Sequence, residues 1–211
     1  MIKSKEDYLF FLEADRVALR IGQRRPRFLK DEIWKFERAL RKVEFLENCG
    51  KNRLSQISCL QARYSLRKLS MQLGFTIPRN VFGPGLSIAH QGTIVVHLGA
   101  RVGENCRIFH NVTIGSGRAV SDDIVPSIGN NVVIGPGAVI VGAITIADGI
   151  AIGANSYVDK SFTEPNVTIA GCPARKISDR SSEDLWIRAT EILRKKDSER
   201  ILALARAKLI R

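Results

Sequence analysis

The feature that most constrains this sequence is a column of aliphatic residues spaced six apart, most of them followed by a glycine or another small residue. An α-helix repeats every ~3.6 residues, and an alternating strand does not need small residues on that schedule. A strict short repeat is typical of a solenoid, in which each repeat forms one side of a coil. Three repeats close a triangular turn, so the sequence predicts a parallel β-helix with the aliphatics stacked inside. The column consists of Ile128, Ile134, Ile140, Ile146, Ile152 and Val158.

Helical patterning flanks this repeat on both sides. Apolar residues at spacings of three and four predict helices over 4–20, 31–47 and about 54–72. Beyond the repeat, Ser181 and Asp184 have the spacing of a capping box, which predicts that the final helix starts there and packs on the prism or on a neighbouring subunit. The predicted fold is therefore mainly β, with a helical domain (1–72), a β-helix domain (73–177) and a C-terminal helix (178–211).

The positive charge of the chain lies outside the repeat. The formal net charge is +12, and residues 1–70 contain 17 Lys and Arg against 9 Asp and Glu. Residues 71–174 contain 5 cations against 6 acids, and residues 175–211 contain 11 against 6. Solvated helix faces explain this pattern, and attraction to an acidic membrane surface is an alternative. No nucleic-acid-reading motif accompanies the cations, so we expect no nucleic-acid partner.

The four cysteines are scattered through the chain and form no CxxC pair. Scattered thiols without metal-ligand or disulfide spacing are typical of a reducing compartment. We therefore expect a cytoplasmic protein with free cysteines.

Two interruptions of the repeat indicate where a functional site lies. The register extends backwards from Ile128 to Ile114 across a loop, and an eight-residue step separates Ile94 from Val102. Insertions into a solenoid usually map to its functional face.

Two of the three histidines lie in register beside these interruptions. His90 and His110 each stand two residues after an interior aliphatic, one coil apart. This spacing predicts that they lie on the same outer edge, about 5 Å apart along the axis. His97 lies in the eight-residue step and is interpreted as incidental. Zinc needs three or four converging ligands, and these spacings do not favour such a set, so we expect no metal.

Three segments of the chain carry a family resemblance, namely GLSIAHQGTIVV (85–96), CRIFHNVTIGSG (106–117) and AGCPARKI (170–177). Through these segments the sequence resembles the hexapeptide-repeat acyltransferases, specifically their serine acetyltransferase-like branch. The resemblance covers most of the chain and also extends to the O-acetyltransferases of capsular and exopolysaccharide pathways. It implies a left-handed coil, a homotrimer that sometimes stacks into a hexamer, and acetyl-CoA as acetyl donor in a groove between adjacent prisms.

The resemblance also implies roles for individual residues. His90 matches the family's catalytic histidine, the general base that takes the proton of the acceptor hydroxyl. His110 is a second catalytic candidate, which positions the acceptor or the thioester. The positions that match CoA-binding residues are Gly115, Ser116 and Gly117 at the loop, Pro136 and Ala154 along the groove wall, and Arg175 and Lys176 near the phosphates.

Departures from the serine enzymes affect the expected acceptor. Those enzymes carry an aspartate directly before the catalytic histidine, where this chain has Ala89, and a second histidine before a loop proline, where this chain has Val125. Their acid near the start of the prism has no counterpart in residues 74–80.

Three functional hypotheses follow from the resemblance and these departures. The leading one is an acetyl-CoA-dependent O-acetyltransferase acting on a sugar of a surface polysaccharide. The alternatives are a serine O-acetyltransferase of cysteine biosynthesis, whose acceptor is a small molecule, and a non-catalytic β-helical scaffold.

Overall fold

The computed structural model describes residues 1–117 and 124–209, with side chains through Glu199. Part of the interrupting loop, residues 118–123, lies outside the described residues. Within the described part, no helix combines the length and the apolar character needed to cross a membrane.

Three helices precede the β-helix. They are α1 (Lys5–Ala18), α2 (Glu32–Cys49) and α3 (Arg53–Leu73). Ser4 caps α1 by accepting the Asp7 N–H at 3.0 Å, and Asn52 forms a capping box with Ser55 at the start of α3. Gly74 ends α3 at a φ of 80°, a left-handed conformation that glycine adopts without strain. These boundaries agree with the sequence prediction to within two residues.

The repeat forms a prism with three parallel faces. The first face contains β1 (Phe75–Thr76), β3 (Ile94–Val96), β6 (Val112–Gly115), β9 (Val139–Val141) and β12 (Tyr157–Val158). The second contains β4 (Arg101–Val102), β7 (Ser127–Ile128) and β10 (Thr145–Ile146). The third contains β2 (Ser87–Ile88), β5 (Arg107–Ile108), β8 (Val133–Ile134), β11 (Ala151–Ile152), β13 (Thr168–Gly171) and, antiparallel at its edge, β14 (Ala174–Ser178).

The six-residue column lies in the core of this prism, as the repeat predicts. All six aliphatics are buried, with at most 3% of any of them exposed. The same core continues without a break into apolar residues of α2 and α3, including Phe36, Leu40 and Leu66. The helical region and the prism therefore fold around one shared core.

The start of the final helix differs from the prediction. Ser181 accepts the Glu183 N–H at 3.0 Å, but it caps only a single 3-10 turn over Ser182–Asp184. The α-helix α4 begins later and spans Ala189–Leu209. Its first turn docks on a corner of the prism, where the Thr190 N–H donates to Asn105 Oδ1 at 3.0 Å. The predicted packing on the prism is thus observed, and the predicted starting residue is wrong.

A buried charged cluster joins the helices to the first coil. Arg41 on α2 contacts Asp15 of α1 at 2.7 Å and Glu44 at 3.0 Å, and all three side chains are almost completely buried. Its remaining N–H groups donate to the carbonyls of Phe82 and Gly83 at 2.9 and 2.7 Å. Burial alone would lower the pKa of Arg41, but the two carboxylates raise it above its usual value, so the guanidinium stays charged.

Two buried carboxylates, those of Asp15 and Glu37, also bind the backbone that leads to His90. Asp15 Oδ1 accepts the N–H groups of Gly85 and Leu86 at 2.8 and 2.9 Å. Glu37 Oε1 accepts the N–H of Ile88 at 3.1 Å. Burial, reinforced by the charge of Asp15, raises the pKa of Glu37 well above its usual value. The helical region therefore fixes the segment that ends two residues before His90.

Candidate functional site

The register of the third face places one candidate residue in each coil along a single outer edge. Ile88, Ile108, Ile134, Ile152 and Ile169 pair in parallel from coil to coil. In the first four coils the residue two positions further on turns the corner onto the first face, and in the last coil it is the final residue of β13. These residues form the edge column, which consists of His90, His110, Pro136, Ala154 and Gly171. Adjacent coils are about 4.8 Å apart, so the column is about 19 Å long.

Backbone hydrogen bonds hold this corner in register. The Gly137 N–H donates to the carbonyl of His110 at 3.1 Å, and the Asn155 N–H donates to the carbonyl of Pro136 at 2.9 Å. Asn111 and Asn155 take positive φ values of 58° and 54° here, a conformation that asparagine tolerates better than most residues. The column is therefore a continuous edge from coil to coil.

The two histidines meet as the sequence predicts. Their ring centroids are 6.1 Å apart with the planes at 71°, and the His90 ring also lies 6.0 Å from Phe109. His90 is exposed, whereas His110 is half-buried. The buried Nδ1 of His110 has no hydrogen-bond partner among the described residues. One histidine thus faces solvent, while the other is half-buried beside it with its Nδ1 inside the prism edge.

Gly92 packs directly against His110. Its φ is 130°, which side-chain-bearing residues rarely adopt, and a Cβ placed on it would lie 3.0 Å from His110 Cβ. The sequence pattern alone does not indicate a role for this glycine. Its only signal is its position two residues after His90.

Small side chains continue the column above the histidines. Ala154 is exposed and Pro136 is half-buried, so neither projects a long side chain over the edge. At the far end, Arg175 and Lys176 lie on β14, where they pair with Ala170 and Ile169. Lys176 is held at 2.6 Å by both Glu164 and Asp179. Arg175 is exposed and makes no ion pair with any described residue, so it is the more available cation.

The loop candidates stand at a different corner. Gly115 ends β6 on the first face, and Gly117 approaches Val141 with a φ of 71°. Gly115, Ser116 and Gly117 are therefore one face of the prism away from the edge column. Within one chain, the structure does not bring them together with His90.

His97 also lies apart from the column. It opens the eight-residue step, where its Nδ1 accepts the Gly99 N–H at 3.1 Å and its carbonyl accepts the Ala100 N–H at 3.1 Å. These contacts give it a local role in the turn. Across the described residues, no group of three or more His, Cys, Asp or Glu side chains is placed to hold a metal ion.

A cavity of about 740 Å³ lies elsewhere, between α1 and α4. Tyr8, Trp34, Arg38 and Leu193 are among its lining residues, and neither His90 nor His110 is. The edge column is an open surface rather than a pocket, as expected for a prism whose interior is filled by side chains.

Comparison with known proteins identifies relatives of this arrangement. The chain is 36% identical over 149 residues to the serine acetyltransferase of Buchnera aphidicola, which covers 70% of this chain and 52% of that protein. It is 35% identical over 100 residues to the serine acetyltransferase of Mycobacterium tuberculosis, covering 47% of this chain and 43% of that protein. The chain thus spans about half the length of the curated relatives it matches. No protein-family model matches it.

Solved structures extend the match to most of the fold. The serine acetyltransferase of Brucella abortus strain S19 superimposes with a TM-score of 0.63 at 30% identity, over 84% of this chain and 72% of that one. A second structure of that enzyme, in complex with coenzyme A, gives a TM-score of 0.62 at 30% identity, over 84% of this chain and 70% of that one. The predicted left-handed β-helix with flanking helices is confirmed. The chain belongs to the hexapeptide-repeat acyltransferases, in their serine acetyltransferase-like branch.

Proposed function

We propose that the chain is an acetyl-CoA-dependent O-acetyltransferase in which His90 is the general base. The observation that carries this proposal is the edge column, in which the rings of His90 and His110 lie edge to face at 6.1 Å and small residues continue the same edge. Acetyl transfer to a hydroxyl needs a base within reach of the acceptor oxygen and a surface along which the donor can lie. The column offers both.

The geometry supports a direct transfer. His90 takes the proton from the acceptor hydroxyl while the oxygen attacks the thioester carbonyl carbon. The tetrahedral intermediate collapses, the C–S bond breaks, and the imidazolium returns its proton to the leaving thiolate. Backbone N–H groups near the loop are the candidates that stabilise the oxyanion. His110, whose ring lies 6.1 Å from that of His90, positions the acceptor or the thioester.

The donor side of the site runs up the column from the histidines. Pro136 and Ala154 let the pantetheine arm lie close to the backbone, and Arg175 is available for the phosphates. The loop residues Gly115, Ser116 and Gly117 stand one face away, so they join the site only from a neighbouring copy. This supports a homotrimer with each groove between two prisms.

The relatives favour L-serine as the acceptor over the polysaccharide sugar suggested by the sequence departures. The relatives from Buchnera aphidicola, Mycobacterium tuberculosis and Brucella abortus are named serine acetyltransferases, and they give no support to the capsular resemblance. One observation keeps a sugar hydroxyl as the second candidate. Ala89 precedes His90 and Val125 precedes Pro126, so neither position offers a charged group to hold the ammonium or carboxylate of serine.

The acceptor is tested with the purified chain, acetyl-CoA and a thiol reporter. We expect CoA release that depends on L-serine. Release with a glycan acceptor but not with L-serine would replace serine by the sugar hydroxyl. No release with any acceptor, despite CoA binding, would favour the non-catalytic scaffold.

Replacing Gly92 with alanine tests whether His110 must be held in place. The new Cβ at 3.0 Å displaces His110, so we expect acetyl transfer to fall roughly 10–100-fold. Gly22→Ala is the matched control, since a Cβ there meets nothing within 4 Å. Equal rates for the two variants in a CoA-release assay would remove His110 from the proposed machinery.

A further inference from the structure

Helix α3 carries two apolar faces on opposite sides. The packed face consists of Cys59, Ala62, Leu66 and Leu73, which are buried. At about 3.6 residues per turn, a second apolar set falls on the other side of the helix. This set, the outer face of α3, is 56–78% exposed and consists of Leu54, Ile57, Leu60, Tyr64 and Met71.

The charges of α3 are all of one sign. The helix contains Arg53, Arg63, Arg67 and Lys68, and it contains no acidic residue in its 21 positions. Arg63 is paired with Glu47 at 2.7 Å. The other three cations make no ion pair with any described residue, and they lie on or beside the outer face. Unpaired cations attract anions, and exposed apolar side chains favour an apolar environment. The partner that suits this face is therefore an apolar layer bordered by anions.

A second segment of the helical region has the same composition. The link between α1 and α2, residues 22–30, contains Phe28, which is 91% exposed, and Leu29, which is 83% exposed. Four cations surround this pair in the sequence, namely Arg24, Arg25, Arg27 and Lys30. Of these, Arg27 is paired with Asp31 at 2.7 Å. Segments that anchor a protein at a membrane surface combine exposed large apolar side chains with neighbouring cations. The link has this composition.

The charge pattern favours a lipid surface over a two-fold contact with a second copy of the chain. In a two-fold contact the same patch lies on both partners, so α3 would face α3. The cations of one helix would then approach the same cations of the other, with no acid on either helix to offset them. Anionic headgroups attract these cations, and the acyl boundary accepts the apolar side chains between them.

We propose that the helical region docks on an anionic lipid surface through the outer face of α3 and the α1–α2 link. Because the opposite face of α3 is packed in the shared core, the helix lies along the surface. This role goes beyond the proposed acetyl transfer and does not depend on it.

Sedimentation of the full chain with vesicles tests this proposal. We expect binding to vesicles of phosphatidylcholine mixed with phosphatidylglycerol, little binding to phosphatidylcholine alone, and release by salt. The double variant Arg67→Glu/Lys68→Glu should weaken the partition coefficient at least about tenfold, given a contribution of about fivefold for each cation near the surface. The double variant Ile57→Ser/Tyr64→Ser should weaken it by a comparable factor.

Matched controls use exposed positions outside both segments. Leu185→Ser removes a side chain that is 56% exposed, and Arg180→Glu reverses an exposed cation near the end of the prism. Both should bind like the unaltered chain. The altered side chains contribute little to the core, so thermal melting by circular dichroism should be unchanged. If a variant in α3 fails to fold, Phe28→Ser/Leu29→Ser gives a second measurement in the link.

Three results would overturn the proposal. The first is equal binding to neutral and anionic vesicles, and the second is undiminished binding by the folded double variants. The third is self-association in size-exclusion chromatography that the Ile57→Ser/Tyr64→Ser variant abolishes while no vesicle binding is seen. That last result would make the outer face of α3 an interface between copies of the chain.

Discussion

Replacing His90 with alanine is expected to lower acetyl transfer by roughly 10²–10⁴-fold, the usual contribution of a positioned general base. The side chain is exposed at the edge of the prism and contributes nothing to the core, so the variant should fold and melt like the unaltered chain. CoA binding should persist, because the donor side of the proposed site uses other residues. Stopped assays of CoA release, with binding measured separately by calorimetry, check this expectation.

His97→Ala is the matched control for this loss. His97 lies in the turn after β3, away from the edge column, and contacts its own turn through Gly99 and Ala100. Its removal should leave most of the activity. If His90→Ala leaves CoA release unchanged, the general base is another group. If His97→Ala loses more activity than His90→Ala, the catalytic group lies at the other corner of the first face.

Replacing Arg41 with methionine should produce the largest loss of stability. The substitution removes the only cation that contacts the buried carboxylates of Asp15 and Glu44 within the described residues. Breaking a buried pair by removing one partner costs about 3–5 kcal/mol, since a charge then stays buried without compensation. The free energy of unfolding from urea titration should fall by that amount. Arg63→Ala, which breaks the half-exposed pair with Glu47, should cost about 1 kcal/mol or less.

The loss of unfolding free energy in Arg41→Met should also depend on pH, and it should be smaller at low pH. Without Arg41, burial holds the pKa of the Asp15 carboxyl above its unfolded value, so the folded state binds more protons than the unfolded state. Stability then falls as pH rises above the unfolded pKa and recovers as pH is lowered towards it. If the stability difference between Arg41→Met and the unaltered chain instead grows as pH is lowered, the buried carboxylates are not its cause.

The fold and the histidine register could be predicted from sequence because each depends on local spacing. The interior of a β-helix accepts one aliphatic per side, so the six-residue column determines the coil. Once the coil is known, the positions of His90 and His110 relative to Ile88 and Ile108 determine which edge they share. The roles of the individual side chains remain predictions.

The remaining features depend on contacts between distant parts of the chain. Arg41 contacts Asp15 and Gly83, which are 26 and 42 positions away in the sequence. The only signal of this cluster in the sequence is the presence of acids among apolar helix residues. The start of α4 was misplaced because Ser181 caps a 3-10 turn as readily as a longer helix. Gly115 is separated from the edge column because it lies at the end of a different face of the prism. The spacing of the aliphatic residues does not by itself show which corner two distant residues share.

A crystal structure of the chain with CoA would show directly whether the edge column is the donor site. We expect the thiol to lie beside His90 and His110, the pantetheine arm to pass Pro136 and Ala154, and the phosphates to approach Arg175. We also expect Gly115 and Gly117 to reach the ligand from a neighbouring copy. CoA bound away from the edge column, for example in the cavity beside Trp34, with both histidines free of contact, would contradict it.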